Sequence, residues 1–159
     1  MQSKIKQLAI SGIIAALYLA ITLTPGINTI SYGPVQFRIA EALTVLAFIF
    51  PGAIFGLFAG CLLANLFGGI GIHDVVFGSL CTLIAAWTTY QLRKTNLPIL
   101  APLPPIIINA FGVSAYLHYF FDIPYWILVG QIGFGQAVVC YVLGYPLLLM
   151  IIKRQNRFN

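Results

Sequence analysis

The chain has 159 residues, of which 60% are hydrophobic and 7% charged, and its mean hydropathy is +0.98. That composition excludes an ordinary soluble domain, and at about 20 apolar residues per spanning helix it leaves room for about six crossings with no sizeable soluble domain appended. The net charge of +5 does not describe a nucleic-acid binder, because the basic residues stand in short clusters between or beyond apolar segments, as orientation signals do.

Six segments follow in chain order. The first is expected over Lys6–Thr24 and is stopped by Thr24-Pro25-Gly26. Lys4 and Lys6 precede it as in a signal peptide, but no small-residue cleavage site precedes Pro25, so it is read as a true span. A turn-rich loop to Pro34 leads into a short second segment, Gln36–Phe50, ended by Pro51-Gly52. The third, Gly52–Phe67, carries Gly52, Gly56, Gly60, Ala64 and Gly68 at every fourth position, a ridge that lets another helix approach closely. Gly68-Gly69-Ile70-Gly71 breaks it without forming a nucleotide-binding fingerprint, since no strand precedes it. The fourth is expected over His73–Gln91, the fifth over Pro104–Tyr119 behind a crowd of prolines, and the sixth over Pro124–Ile152. Cys61, Cys81 and Cys140 lie singly in apolar stretches and read as packing residues.

Six crossings place Lys4 and Lys6, Arg93 and Lys94, and Lys153, Arg154 and Arg157 on one side, which is cytoplasmic by the positive-inside rule. The expected fold is an all-α integral membrane protein: one domain over residues 1–159, a compact bundle of six transmembrane helices with both termini cytoplasmic.

The charges left over point to a site. Arg38 and Glu41 sit at the outer end of an apolar segment, three residues apart and so on one helical face, where they can pair or present a joint charged fork. Ionisable groups inside a membrane are costly and face a bundle interior or a ligand; the plainer alternative is a salt bridge tethering two helices. Glu41, Asp74 and Asp122 all fall at the outer level, with both histidines, His73 and His118. Tyr32, Gln36, Asn109, Tyr116, Tyr119, Tyr125, Trp126 and Gln131 belong to the same layer if the helices close around it.

Such a lining suits a small planar heterocycle: aromatic rings stack on it while carboxylates and amides fix its polar edges. Glu41 accepting two parallel hydrogen bonds would hold a guanine-like N–H/NH2 edge, and Asp74 or Asp122 a cationic substituent. Simpler readings compete. Phe120 and Trp126 fit the interfacial aromatic belt, Asp74 can be a helix N-cap, and amides such as Asn65, Asn109, Gln131 and Gln136 often join helices. The candidate ligand contacts are Glu41, Arg38, Gln36, Tyr32, Asn109, Asp74, His73, Tyr116 and Gln131; two histidines alone do not define a metal site.

The stretch Tyr32-Gly-Pro-Val-Gln-Phe-Arg-Ile-Ala-Glu-Ala-Leu-Thr-Val-Leu46 resembles the signature of the QueT family, the queuosine-precursor substrate-binding subunits (S components) of energy-coupling-factor transporters. The likeness extends to the length, the glycine-rich third segment and the Gly71-Ile-His-Asp74 turn. It implies a purine-like substrate, queuine or its aminomethyl-deazaguanine precursor, captured from outside the plasma membrane under the Pro25–Pro34 loop. It implies no cofactor on this chain: ATP is used by two separate ATPase subunits, relayed by a membrane coupling (T) subunit, and no Gly-Lys-Ser/Thr loop occurs here. It also implies docking on that coupling subunit through small residues of the first span. Gly12, Ala16 and Ala20 form such a stripe, which by itself, without the resemblance, reads as internal packing before a partner face.

Other functions remain open at this level. An autonomous secondary transporter would use Glu41 or Asp74 to carry protons, an S component for another vitamin-like substrate would keep the architecture, and a scaffold subunit would bind nothing. An enzyme is not expected: neither a His-Glu-x-x-His pair nor a Gly-x-Ser-x-Gly elbow is present.

Overall fold

The computed structural model describes residues 2–31, 37–68 and 71–158. Among them there are seven α-helices and no strand: α1 Gln2–Leu23, α2 Ile27–Ser31, α3 Gly52–Gly68, α4 Ser79–Leu92, α5 Leu103–Phe121, α6 Tyr125–Val138 and α7 Tyr145–Phe158. A 3-10 helix, Ile39–Phe48, precedes α3; a π-helical turn, Asp74–Gly78, opens α4; a second, Val139–Gly144, joins α6 to α7.

Punctuation follows local chemistry. After α1 the chain turns at Pro25-Gly26, where Gly26 takes φ +87°, a conformation cheap only without a Cβ. Prolines 104 and 105 fall in the first turn of α5, where the missing N–H has no partner to lose. Asp122 closes α5 in the left-handed region, its N–H donating to the His118 carbonyl at 3.0 Å.

The α1–α3 contact is built by the glycine ridge. A Cβ on Gly56 would lie 2.5 Å from the Ser11 carbonyl oxygen, and one on Gly60 2.7 Å from Tyr18 Cβ. At the ridge's first glycine, Ser11 Oγ donates to the Gly52 carbonyl at 2.6 Å and the Gly52 N–H to Gln7 Oε1 at 2.6 Å. Gly12, Ala16 and Ala20 point the other way and are exposed, so the second stripe is not used internally.

The expected second α-helix is instead a ten-residue 3-10 helix. Such helices rarely exceed three or four residues, and the surroundings explain this one. It touches α1, α3, α4, α7 and the second π-turn, and Ala40 to Phe48 are all buried, so it is the bundle's central stave rather than a lipid-facing wall. Leu43, Leu46 and Ala47 pack with Ile14, Tyr18, Leu57 and Cys61; Val45 and Phe48 pack with Ala101 and Leu148.

The boundaries of the remaining elements lie close to expectation, with the sixth segment interrupted by its π-turn. Four helical stretches are long and apolar enough to cross a membrane: Lys4–Leu23, Asp74–Thr95, Pro98–Phe121 and Tyr125–Gln155. Ile39–Phe48 and Gly52–Gly68 are shorter; at about 2.0 and 1.5 Å per residue they rise roughly 20 and 26 Å. Outward-facing side chains are apolar and aromatic, with Leu8, Phe55, Tyr119 and Trp126 all more than two-thirds exposed, as a multi-pass membrane protein requires.

Candidate functional site

Two carboxylates are buried in the bundle, each on a separate network. Asp74, 1% exposed, opens the first π-turn. Its Oδ1 accepts from Arg38 Nη2 at 2.6 Å, from the start of the 3-10 helix, and from the Tyr116 hydroxyl of α5. Its main-chain oxygen accepts from Asn65 Nδ2 of α3 at 2.9 Å. Gly78 makes the geometry possible: a Cβ there would stand 2.9 Å from Asp74 Oδ1 and 3.1 Å from Asn65 Nδ2. The π-turn widens the helix start at the place where the 3-10 helix, α3 and α5 all reach Asp74.

Glu41, 0% exposed, lies one 3-10 turn beyond Arg38. Its Oε1 accepts from the Tyr18 hydroxyl of α1 at 2.6 Å and from Thr82 Oγ1 of α4 at 2.9 Å. Thr44 Oγ1 donates to the Glu41 carbonyl at 2.6 Å, holding the turn that presents it. The two networks share a pattern: one oxygen of each carboxylate has two donors, while Glu41 Oε2 and Asp74 Oδ2 have no hydrogen-bond partner among the described residues. Asn109 Nδ2, Ser79 Oγ and Ser114 Oγ are buried and unpartnered in the same sense. Buried polar atoms are almost always satisfied, so these open positions are the exceptions in the bundle's interior.

Three expectations change here. The carboxylate paired with Arg38 is Asp74, not Glu41. The 3-10 helix keeps Arg38 and Glu41 a turn apart, and Arg38, its N-cap, reaches back to the π-turn instead. Of Glu41's two oxygens, Oε1 already has two donors for its two lone pairs, so the structure leaves Oε2 as the open one rather than both. Asp74 is no N-cap: no side-chain cap bond forms at that helix start, and its carboxylate is engaged across the bundle.

The other candidates divide. Asn109 is buried on α5, two turns from Tyr116 and so on the same face. Gln131 is half-buried on α6. His73 is half-buried and stacked on Phe120, ring centroids 3.5 Å apart, rather than joined to a carboxylate. Tyr119 and Trp126, 79% and 74% exposed, face outward rather than into the cluster, and Tyr125 leans toward the Phe111 carbonyl. Asp122 is exposed in a turn and has no part in the cluster. Tyr32 and Gln36 lie outside the described residues, as does part of the loop expected to act as a lid. Among the described residues, no three His, Cys, Asp or Glu side chains are grouped to hold a metal.

Sequence reasoning missed Tyr18 and Thr82, which supply both donors to Glu41 Oε1. The signal was present for Tyr18, a phenol within an otherwise apolar span, opposite a stripe of small residues.

An apolar helical bundle with a buried Arg–Asp pair and a second buried carboxylate defines a multi-pass membrane protein with a polar interior site. The family model described as QueT transporter matches residues 8–153, and the chain belongs to that family. The queuosine precursor transporter QueT of Lactococcus lactis subsp. cremoris (strain MG1363) is 40% identical over 83 residues, 52% of this chain and 48% of that protein. The match thus spans about half the length of that relative. Family and relative are both named as transporters, not enzymes. No solved structure matches the chain.

Proposed function

We propose that this chain is the substrate-binding subunit of an ATP-driven importer of the energy-coupling-factor type, capturing a queuosine precursor from outside the plasma membrane. The observation that carries the reading is the pair of buried carboxylate networks, whose open atoms Glu41 Oε2 and Asp74 Oδ2, with the open Asn109 Nδ2, suit the polar groups of a substituted deazaguanine base. Phe77 and Tyr116, stacked with centroids 5.9 Å apart beside Asp74, offer an aromatic flank. In this reading the two shorter helices also cross, giving six spans with both termini cytoplasmic. The exposed stripe Gly12, Ala16 and Ala20 meets the membrane coupling subunit, and two ATPase subunits supply the energy.

Support for the coupling comes from the division of labour on α1. One face carries Tyr18 to Glu41, while the other leaves small residues open to a close-packing helix. Docking on the second face therefore acts on the helix that holds the site's carboxylate.

The test is binding of aminomethyl-deazaguanine to the purified chain alone, followed by uptake in vesicles with and without the ATPase and coupling subunits. Saturable binding by the lone chain with uptake only in the full assembly is expected. Uptake by the chain alone, driven by a proton gradient, would favour the autonomous transporter; absence of binding by folded protein would remove the substrate assignment.

A further inference from the structure

The chain has eight basic and three acidic residues, and every one of them lies among the described residues. Only Arg38, Glu41 and Asp74 are buried; the other eight charged side chains are exposed. The interior thus contains one guanidinium and two carboxylates, a formal charge of −1. A buried charge without a counter-charge is strongly disfavoured, and the structure shows which one lacks it. Asp74 is compensated by Arg38 at 2.6 Å. Among the described residues, Glu41's carboxylate receives only the neutral hydroxyls of Tyr18 and Thr82. Neither histidine stands in for the missing cation: His73 is stacked on Phe120, and His118 is exposed, its Nδ1 2.7 Å from the Ile123 carbonyl.

We propose that the ligand enters as a monocation and that Glu41 Oε2 meets its positive charge. The inference rests on the site assigned above and goes further, naming the feature of the ligand that is read and the atom that reads it. With Oε1 occupied, Glu41 offers a single oxygen, which suits the compact point charge of an ammonium better than a planar two-donor edge. The base's own polar edge is left to Asp74 Oδ2 and Asn109 Nδ2. Tyr18 and Thr82 then act as positioning residues, fixing the carboxylate's rotamer so that Oε2 stays turned to the ligand. Selectivity follows: a base of the same shape with a neutral substituent leaves the carboxylate uncompensated and binds more weakly.

The experiment is calorimetric titration of the purified full chain in detergent with two bases sharing one ring, aminomethyl-deazaguanine (cationic) and cyano-deazaguanine (neutral). The cationic base is expected to bind about 10- to 100-fold more tightly, the range of a hydrogen bond to a charged group. In Glu41→Gln that gap is expected to close to within about threefold, through loss of affinity for the cationic base alone. Equal affinities in the wild type would overturn the proposal while leaving the substrate-binding function standing. Equal weakening of both bases in Glu41→Gln would also overturn it, making Glu41 a contact to the ring. Binding of neither base by folded protein would overturn the functional assignment and this inference together. If Glu41→Gln does not fold, the wild-type ratio decides.

Discussion

Removing one member of a buried ion pair costs more than removing both, because the survivor keeps its charge and loses its partner. Arg38 and Asp74, 5% and 1% exposed and 2.6 Å apart, are such a pair. Arg38→Met is expected to destabilise the chain by about 3–5 kcal/mol, and adding Asp74→Asn is expected to restore more than half of that. Thermal unfolding of the four proteins in one detergent measures the coupling; additive losses would show that the two side chains are energetically independent. Tyr18→Phe is a milder change, removing one of two donors to Glu41 Oε1 without altering shape. About 1–2 kcal/mol of stability should go with it, and the preference for a cationic over a neutral base should narrow as the carboxylate loses its fixed orientation. A full preference in Tyr18→Phe would mean that Thr82 positions Glu41 alone. Arg38, Glu41, Asp74 and Tyr116 were legible in the sequence because a charge or phenol inside an apolar segment needs a reason. Their pairing was not, since Arg38 to Asp74 and Tyr18 to Glu41 depend on how separate helices are rotated, which no local spacing encodes.

At the scale of elements, two stripes of small residues look alike in sequence and do opposite things. Gly52, Gly56 and Gly60 are filled by α1, while Gly12 on α1 has nothing within 4 Å of where a Cβ would stand. Gly56→Leu should therefore force α1 from α3 against main-chain atoms of Ser11, a clash that side-chain rotation cannot relieve, with a loss of about 3 kcal/mol or more. Gly12→Leu should leave unfolding temperature and base affinity unchanged and abolish ATP-dependent uptake in the assembled importer. Unimpaired uptake in Gly12→Leu would detach the stripe from the coupling subunit. The 3-10 stave shows a limit of another kind. The sequence Ile39–Phe48 is apolar enough for an α-helix, and nothing in its own spacing marks the tighter winding it takes inside five other elements. Sequence marked where that element begins and ends, through the turn residues before it and Pro51 after it; the type of winding depended on packing.

For the whole molecule, the open question is how many times the chain crosses. Four stretches have the length, and the two shorter ones sit between the first and second of them. If both short helices cross, an even number of spans separates α1 from α4, and Lys4, Arg93 and Arg154 face one side. If only one crosses, Arg93 and Lys94 face the opposite side from Lys4 and Lys6, against the usual rule for basic loops. The Arg38–Asp74 pair argues against a single crossing, because it joins the start of the 3-10 helix to the start of the π-turn before α4. Between those two points the chain runs down the 3-10 helix, turns at Pro51 and returns along α3, so both points lie at one level of the bundle. A single-cysteine series decides it, since Cys61 and Cys140 are buried and Cys81 half-buried and can be replaced by alanine. Thr95→Cys and Gln155→Cys, both at exposed positions, should resist a membrane-impermeant thiol reagent in intact cells and react after lysis. Asp122→Cys, exposed in the turn after α5, should react in intact cells. Labelling of Thr95→Cys from outside, with Gln155→Cys still protected, would break the even count before α4. The charged site would then no longer lie at the outer end of the bundle, and capture of a substrate from outside would need a different entrance.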